Sequence, residues 1–135
     1  MAFYQYKAKV EKIVDGDTVI AMIDFGLGFY ARAYCRLAYI NAPEPNSTDE
    51  QVRIAAQAAK LYLGKILPIG SSIIVDTKKL DPYKRPIVNI LLAGQTVTIS
   101  NQMFEAGHAV KVKYLKENIN DEIVWISTLE HKKGS

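Results

Sequence analysis

The sequence has one cysteine, Cys35, so no internal disulfide is open to it. Set in an apolar run, that residue reads as a small buried hydrophobe, and no basic pattern beside it would make it a nucleophile. No apolar run approaches bilayer-spanning length. The opening stretch, MAFYQYKAKVEK, lacks the long apolar core of a secretory leader. A soluble cytoplasmic protein with no membrane partner is therefore expected, or a secreted one if a leader has been removed. Neither His108 nor His131 has the partner spacing of a zinc site or a catalytic triad. Charge of one sign is also scarce. Against 14 Asp and Glu stand 17 Lys and Arg, a net +3 that permits a polyanionic partner without requiring one. Repeats, low-complexity tracts and linkers are missing too, so one monomeric domain, residues 1–135, is expected, with a core large enough to need no staples.

What is present is a β-rich first half. Tyr6 to Val14 alternates, with Tyr6, Ala8, Val10 and Ile13 facing inward. Asp15-Gly16-Asp17 interrupts the pattern and Thr18 to Ile23 resumes it. Asp24-Phe25-Gly26-Leu27-Gly28 is a hairpin connection, and Phe29 to Ile40 a third strand with Arg36 in its second half. Asn41 to Asn46, with two prolines and two asparagines, is loop. Ser47 and Glu50 have capping-box spacing. They precede Val52, Ala55, Ala56, Ala59, Leu63, Ile66 and Leu67 at helical intervals, a helix stopped by Pro68 and Gly70. Its small alanines would let it approach a sheet closely.

Strands over Ser72 to Val75 and Ile87 to Leu92 flank the polar loop DTKKLDPYKRP, and Ala93-Gly94-Gln95 is a tight turn. Thr98 to Ala106 predicts a short helix that buries Met103 and Phe104 and stops at Gly107, with His108 as a cap. Lys111, Lys113, Tyr114 and Lys116 make a basic, aromatic-bearing segment. A last helix is expected from Asn120, with Ile123, Ile126 and Leu129 on one side. Five strands with a helix after the third describe a mainly β, α+β fold: a five-stranded OB-type barrel with two to three helices.

The chemistry concentrates between Ile13 and Glu44. Asp15 and Asp17 flank a glycine, Arg36 returns on another strand, and Asn41, Ala42, Pro43 and Glu44 close on a turn. Carboxylates, an amide and a guanidinium from separate strands suit a hard cation and a phosphate. Singly, each has an ordinary reading. Asp-Gly is a common turn, Arg36 a surface strand arginine, Glu44 a solvated loop residue, Tyr83-Lys84-Arg85 an exposed polar tip. Their joint occurrence is what carries weight.

Four segments carry a resemblance: IVDGDTV at 13–19, CRLAYINAPE at 35–44, DPYKRPIVNI at 81–90 and MFEAGHAVKV at 103–112. In this order, around that helix, the chain resembles the staphylococcal nuclease (thermonuclease) family over roughly residues 9–112. The resemblance implies an OB-fold and calcium-dependent hydrolysis of DNA and RNA phosphodiesters, leaving 3′-phosphorylated products. It places Asp17 at the principal metal carboxylate, Asp15 just behind it, and Arg36 and Arg85 on the scissile phosphate. Glu44 falls on the carboxylate that activates water, and Tyr83 and Lys84 on contacts to a neighbouring phosphate. Three departures stand out. Asn41 occupies the place of a second metal-binding aspartate. Ala42 replaces a threonine, of which only the backbone carbonyl would be needed. Lys113 and Leu115 fall where two base-stacking tyrosines are expected, with Tyr114 between them as the remaining stacking candidate.

Two functions follow. One is an active metal-dependent nuclease acting without strong sequence preference, single-stranded or frayed DNA and RNA preferred. The other is a nuclease-like domain that has lost catalysis and binds nucleic acid or protein. Retention of Asp17, Arg36, Glu44 and Arg85 favours the first; Asn41 speaks for the second. An unrelated OB-type binder would be expected to show stacking aromatics on its strand faces instead of an acid–arginine cluster.

Overall fold

The computed structural model describes residues 4–112 and the backbone of 115–116 and 123–124. Its first strand, β1 (Tyr4–Asp15), buries Ala8, Val10 and then Ile13. The step from even to odd inward positions occurs where the register against β2 (Thr18–Gly26) shifts between Val10 and Lys12, a bulge that re-aims the strand. On its other side β2 pairs antiparallel with β3 (Phe29–Leu37). After the short β4 (Ile40–Asn41) and helix α1 (Glu50–Ile66) come β5 (Ser72–Leu80) and β6 (Pro86–Leu92). The order β1-β2-β3-β6-β5 closes into a barrel through β1–β5 pairing, so no edge is left open, and the OB-type barrel expected from the sequence is what forms. All barrel neighbours are antiparallel except β3 and β6, whose parallel pairing sets Arg36 against Ile87.

Helix α2 (Ile99–Glu105) packs on the barrel. The short strand β7 (Val110–Lys111) pairs with β4, and β8 (Leu115–Lys116) with β9 (Ile123–Val124). The core is aliphatic: Val10, Val19, Leu37, Leu63, Leu67, Ile73, Val75, Ile90, Ile99 and Met103 lie in one cluster.

Several local expectations shift. The third strand ends at Leu37 instead of Ile40, because the chain turns at Ala38 and Tyr39, the latter at φ +67°, before Ile40–Asn41 pairs elsewhere. The fourth barrel strand runs on to Leu80, through polar residues read as loop. Pairing with β6 holds Asp76 to Leu80 extended regardless of their polarity. The cap of α1 is Asp49, whose side chain accepts from Gln51 N; Ser47 accepts from Asp49 N instead. On α1 itself Ala56, Ala59 and Leu63 are buried, whereas Ala55 is exposed.

The bounds expected for α2 hold and Met103 is buried, but Phe104 is only half-buried. Thr98 caps its start, and Gly107 at φ +80° ends it, with Gly107 N donating to Phe104 O and His108 N to Met103 O, a Schellman stop. The helix expected from Asn120 is corrected at Ile123–Val124, which pairs as strand β9, while Ile126 and Leu129 lie outside the described residues.

Candidate active site

The site begins at the β1–β2 hairpin, where Asp15 pairs with Thr18 across Gly16 and Asp17. Gly16 is required by close approach. A Cβ there would lie 2.7 Å from the Ala42 Cβ and 2.8 Å from the Ala59 Cβ. Small residues on α1 and on the 41–42 turn thus let helix, turn and hairpin meet at one point, and Asp17 stands beside it. Asp17 is tied in from every side. Its N–H donates to Asp15 Oδ1 (3.2 Å), its carbonyl accepts from Leu37 N (2.8 Å), and its Oδ1 accepts from the Thr18 hydroxyl (3.2 Å). Its Oδ2 accepts from Ala42 N at 2.9 Å and lies 3.3 Å from Arg36 Nη2.

Arg36 is buried, with 6% of its surface exposed. Its Nη2 also donates to Asn41 Oδ1, and its Nη1 to the carbonyl of Leu37 at 3.0 Å. One guanidinium therefore spans the carboxylate of the hairpin and the amide of the turn. The two ionic effects on Asp17 oppose each other. Burial raises its pKa, Arg36 and the Ala42 N–H lower it, and the hydrogen bond and charge of Asp15 raise it again; burial prevails, at about 6.

The second arginine is held by a residue that sequence reading passed over. Asp81 is buried, and its Oδ1 accepts from the N–H groups of Tyr83 and Arg85, both at 2.8 Å. Its Oδ2 takes Arg85 Nε at 2.6 Å. Backbone bonds from Asp81 N to Arg85 O and from Lys84 N to Asp81 O close the turn, with Lys84 at φ +63°. The signal was legible as an aspartate before proline, four residues ahead of an arginine in the same loop. Tyr83 is 82% exposed, and the Arg85 guanidinium carbon stands 5.7 Å from its ring centroid.

Arg36, Asn41, Asp81, Pro82, Tyr83 and Arg85 line one cavity of about 350 Å³. The structure thus unites the two arginines, Asn41 and Tyr83, with Asp17 ion-paired to Arg36 and Ala42 joined to it through the Asp17 carboxylate. Glu44 is not among the cavity's lining residues; it is exposed in the turn toward α1, where its Oε1 accepts from Asn46 N. Lys84 is exposed at the loop tip. Tyr114, the stacking candidate, lies outside the described residues. His108 caps α2 through its backbone, and its ring lies 4.7 Å from that of Tyr62. Cys35 is fully buried, which pushes its thiol up to about 12 and leaves it inert.

The donors suit a hard cation in kind: two carboxylates, an amide oxygen and nearby backbone carbonyls, all oxygen. They are poor in charge, since among the described residues no three His, Cys, Asp or Glu side chains gather at one place. Asp17 Oδ2 and Asn41 Oδ1 both already accept from Arg36. A cation and this guanidinium therefore compete for the same two oxygens.

The sequence model of the family described as staphylococcal nuclease homologue matches residues 34–132. No curated protein matches the chain significantly. The matched span opens inside β3 and contains Arg36, Asn41, Glu44 and Arg85. Asp15 and Asp17 precede it and join it through the bonds from Arg36, Leu37 and Ala42. Among the described residues no helix is long and apolar enough to cross a membrane.

Proposed function

We propose, from the premise that this chain belongs to the staphylococcal nuclease family, that its nuclease-like barrel is a calcium-dependent phosphodiesterase cutting DNA and RNA with little sequence preference. The observation that carries this is the convergence of Arg36, from a barrel strand, and Arg85, from the β5–β6 loop, on one cavity large enough for a phosphodiester group. Two planar guanidiniums aimed at one phosphate favour the transition state, where charge on its oxygens grows. Asp81 orients the Arg85 fork through Nε, and the Leu37 carbonyl orients that of Arg36. Tyr83 and Lys84, exposed beside the cavity, are placed to meet a neighbouring phosphate.

Asp17, Asn41 and the Ala42 carbonyl would hold the calcium ion, with Asp15 behind them. Bound there, it would supply Lewis-acid polarisation of a phosphoryl oxygen and a more acidic water. Glu44 is the side chain assigned to take the proton from the attacking water. Among the described residues no base-reading element lines the cavity, which supports cutting through backbone contacts with little sequence preference, single-stranded or frayed substrate being the preferred form proposed.

The engagement of Arg36 by Asp17 and Asn41 favours one other reading, a nuclease-like domain that binds nucleic acid with weak or no catalysis. Cleavage of single- and double-stranded DNA and of RNA, with millimolar calcium and with chelator, separates the two. Calcium-supported nicking abolished by chelation is expected. Cleavage indifferent to chelator, or none with calcium, would leave only the binding reading.

A further inference from the structure

The outer face of the β1–β2–β3 sheet carries a second constellation that the active site does not use. Because side chains alternate along a strand, Tyr30, Arg32 and Tyr34 of β3 share the side away from the core, and all three are exposed. Arg36 is the next residue of that series, so this side of β3 leads into the active-site cavity. Register builds three rows across the sheet: Lys7, Asp24 and Tyr30; Lys9, Met22 and Arg32; Lys12, Ile20 and Tyr34. Lys7, Lys9, Met22, Asp24 and Tyr30 line a groove of about 450 Å³.

Aromatic rings interleaved with cations are the means by which proteins hold single strands: bases stack on the rings and phosphates meet the cations. Tyr30 and Tyr34 are 62% and 52% exposed, and alternate strand positions put them about 13 Å apart, room for an extended strand to lay successive bases down. The face is positive on balance, with Lys7, Lys9, Lys12 and Arg32 against Glu11 and Asp24. Glu11 pairs with Arg32 at 2.6 Å on the exposed surface, where such a pair is weak and yields readily to a phosphate. Asp24 is occupied in its own turn, accepting from Gly26 N.

The geometry points to a single-strand exosite. Tyr30 and Tyr34 stack bases, Lys7, Lys9 and Arg32 hold phosphates, and the strand runs along β3 toward Arg36. This rests on the reading of the barrel as acting on nucleic acid. The alternating cations and the continuity with Arg36 favour a polyanion over a protein partner, which would be expected to seat on the apolar hairpin tip of Phe25, Leu27 and Phe29 instead.

Fluorescence anisotropy with a labelled oligothymidine of about 16 nucleotides, the upper span of an OB barrel, tests this in chelator, where cleavage does not intervene. Tyr30→Ala with Tyr34→Ala should weaken binding about tenfold or more, while Tyr30→Phe with Tyr34→Phe retains it. Lys7→Ala with Lys9→Ala should lower the slope of log K against log salt by about 1.4. Calcium-supported cleavage of a thymidine dinucleotide, which reaches only the arginine cavity, should be equal in all variants. Equal affinity of wild type and the double alanine variant for the long oligomer overturns the exosite. So does self-association of the wild type that Tyr30→Ala with Tyr34→Ala removes and saturating oligonucleotide does not reverse, which assigns the face to a second copy. A protein that binds the long strand through Tyr30 and Tyr34 yet cleaves nothing keeps the exosite and loses the nuclease reading. One that cleaves the dinucleotide but binds the long strand no better does the reverse.

Discussion

Arg36 Nη2 lies 3.3 Å from Asp17 Oδ2, so the proposed phosphate ligand and the proposed metal ligand are each other's partner. The same nitrogen reaches Asn41 Oδ1. The buried guanidinium thus takes the place of a cation among these oxygen donors, and the site is closed on itself. On the proposed reading, Asp17 and Asn41 would hold the cation and Arg36 would meet the phosphate. Metal and nucleotide should therefore bind with positive coupling.

Replacing Arg36 or Arg85 by lysine should lower kcat about a hundredfold or more, because a point charge cannot reproduce a two-pronged contact strengthened in the transition state. The retained charge should preserve the fold. Steady-state kinetics on a short substrate, with circular dichroism as the control, measure this. Near-native turnover in both variants would rule out the two-arginine clamp.

In the proposed cation site, Asn41 would supply an oxygen without a charge. Calcium should bind weakly, with a Kd of about 10⁻⁴ to 10⁻³ M, and Asn41→Asp should tighten it. Calorimetric titration with a nucleotide present reads both. Asp17→Ala should abolish the binding heat and the metal-supported cleavage together. Equal affinity in wild type and Asn41→Asp would show that Asn41 does not face the metal.

The raised pKa of Asp17 makes metal-free stability depend on pH. Below about pH 4 the carboxyl is protonated both folded and unfolded. Between there and about 6 the unfolded chain releases the proton first, so stability falls as pH rises through this window. The loss is of the order of 3 kcal/mol. Thermal unfolding in chelator from pH 4 to 7 should show that fall in the wild type and not in Asp17→Asn. A difference between the two that grows in the opposite direction would contradict the burial argument.

Gly16→Ala should destabilise the fold by about 1–3 kcal/mol, the usual range for overpacking. Its Cβ would meet the Ala42 and Ala59 Cβ atoms, neither of which has a flexible end to give way. Urea unfolding measures the loss. A midpoint equal to that of the wild type would mean that helix, turn and hairpin can part without strain.

Asp81→Asn should act at a distance from the chemistry. The buried carboxylate that accepts from Tyr83 N, Arg85 N and Arg85 Nε loses its charge, and the loop that aims Arg85 slackens. A cost of about 1–3 kcal/mol in stability and a fall in kcat similar in direction to that of Arg85→Lys are expected. Unchanged kinetics would reduce Asp81 to a structural turn residue.

Local pattern alone determined a good deal here. Alternation and turn chemistry marked the barrel strands, helical spacing marked α1, and the glycine after Ala106 marked the end of α2. The acid–arginine motifs pointed to the candidate site because their chemistry is carried by residue type and order. Tertiary structure decided what depends on pairing and burial. The bulge at Glu11 switched which β1 residues face the core, and pairing with β6 kept the polar 76–80 segment in a strand. Barrel closure set Tyr30, Arg32 and Tyr34 outward, although β3 reads in sequence as one apolar-aromatic run. Above all, Asp17 and Arg36 come from different strands, and Asn41 from the turn beyond. That they meet around one guanidinium follows from the close packing of Gly16, Ala42 and Ala59, a contact between distant segments that no local pattern encodes.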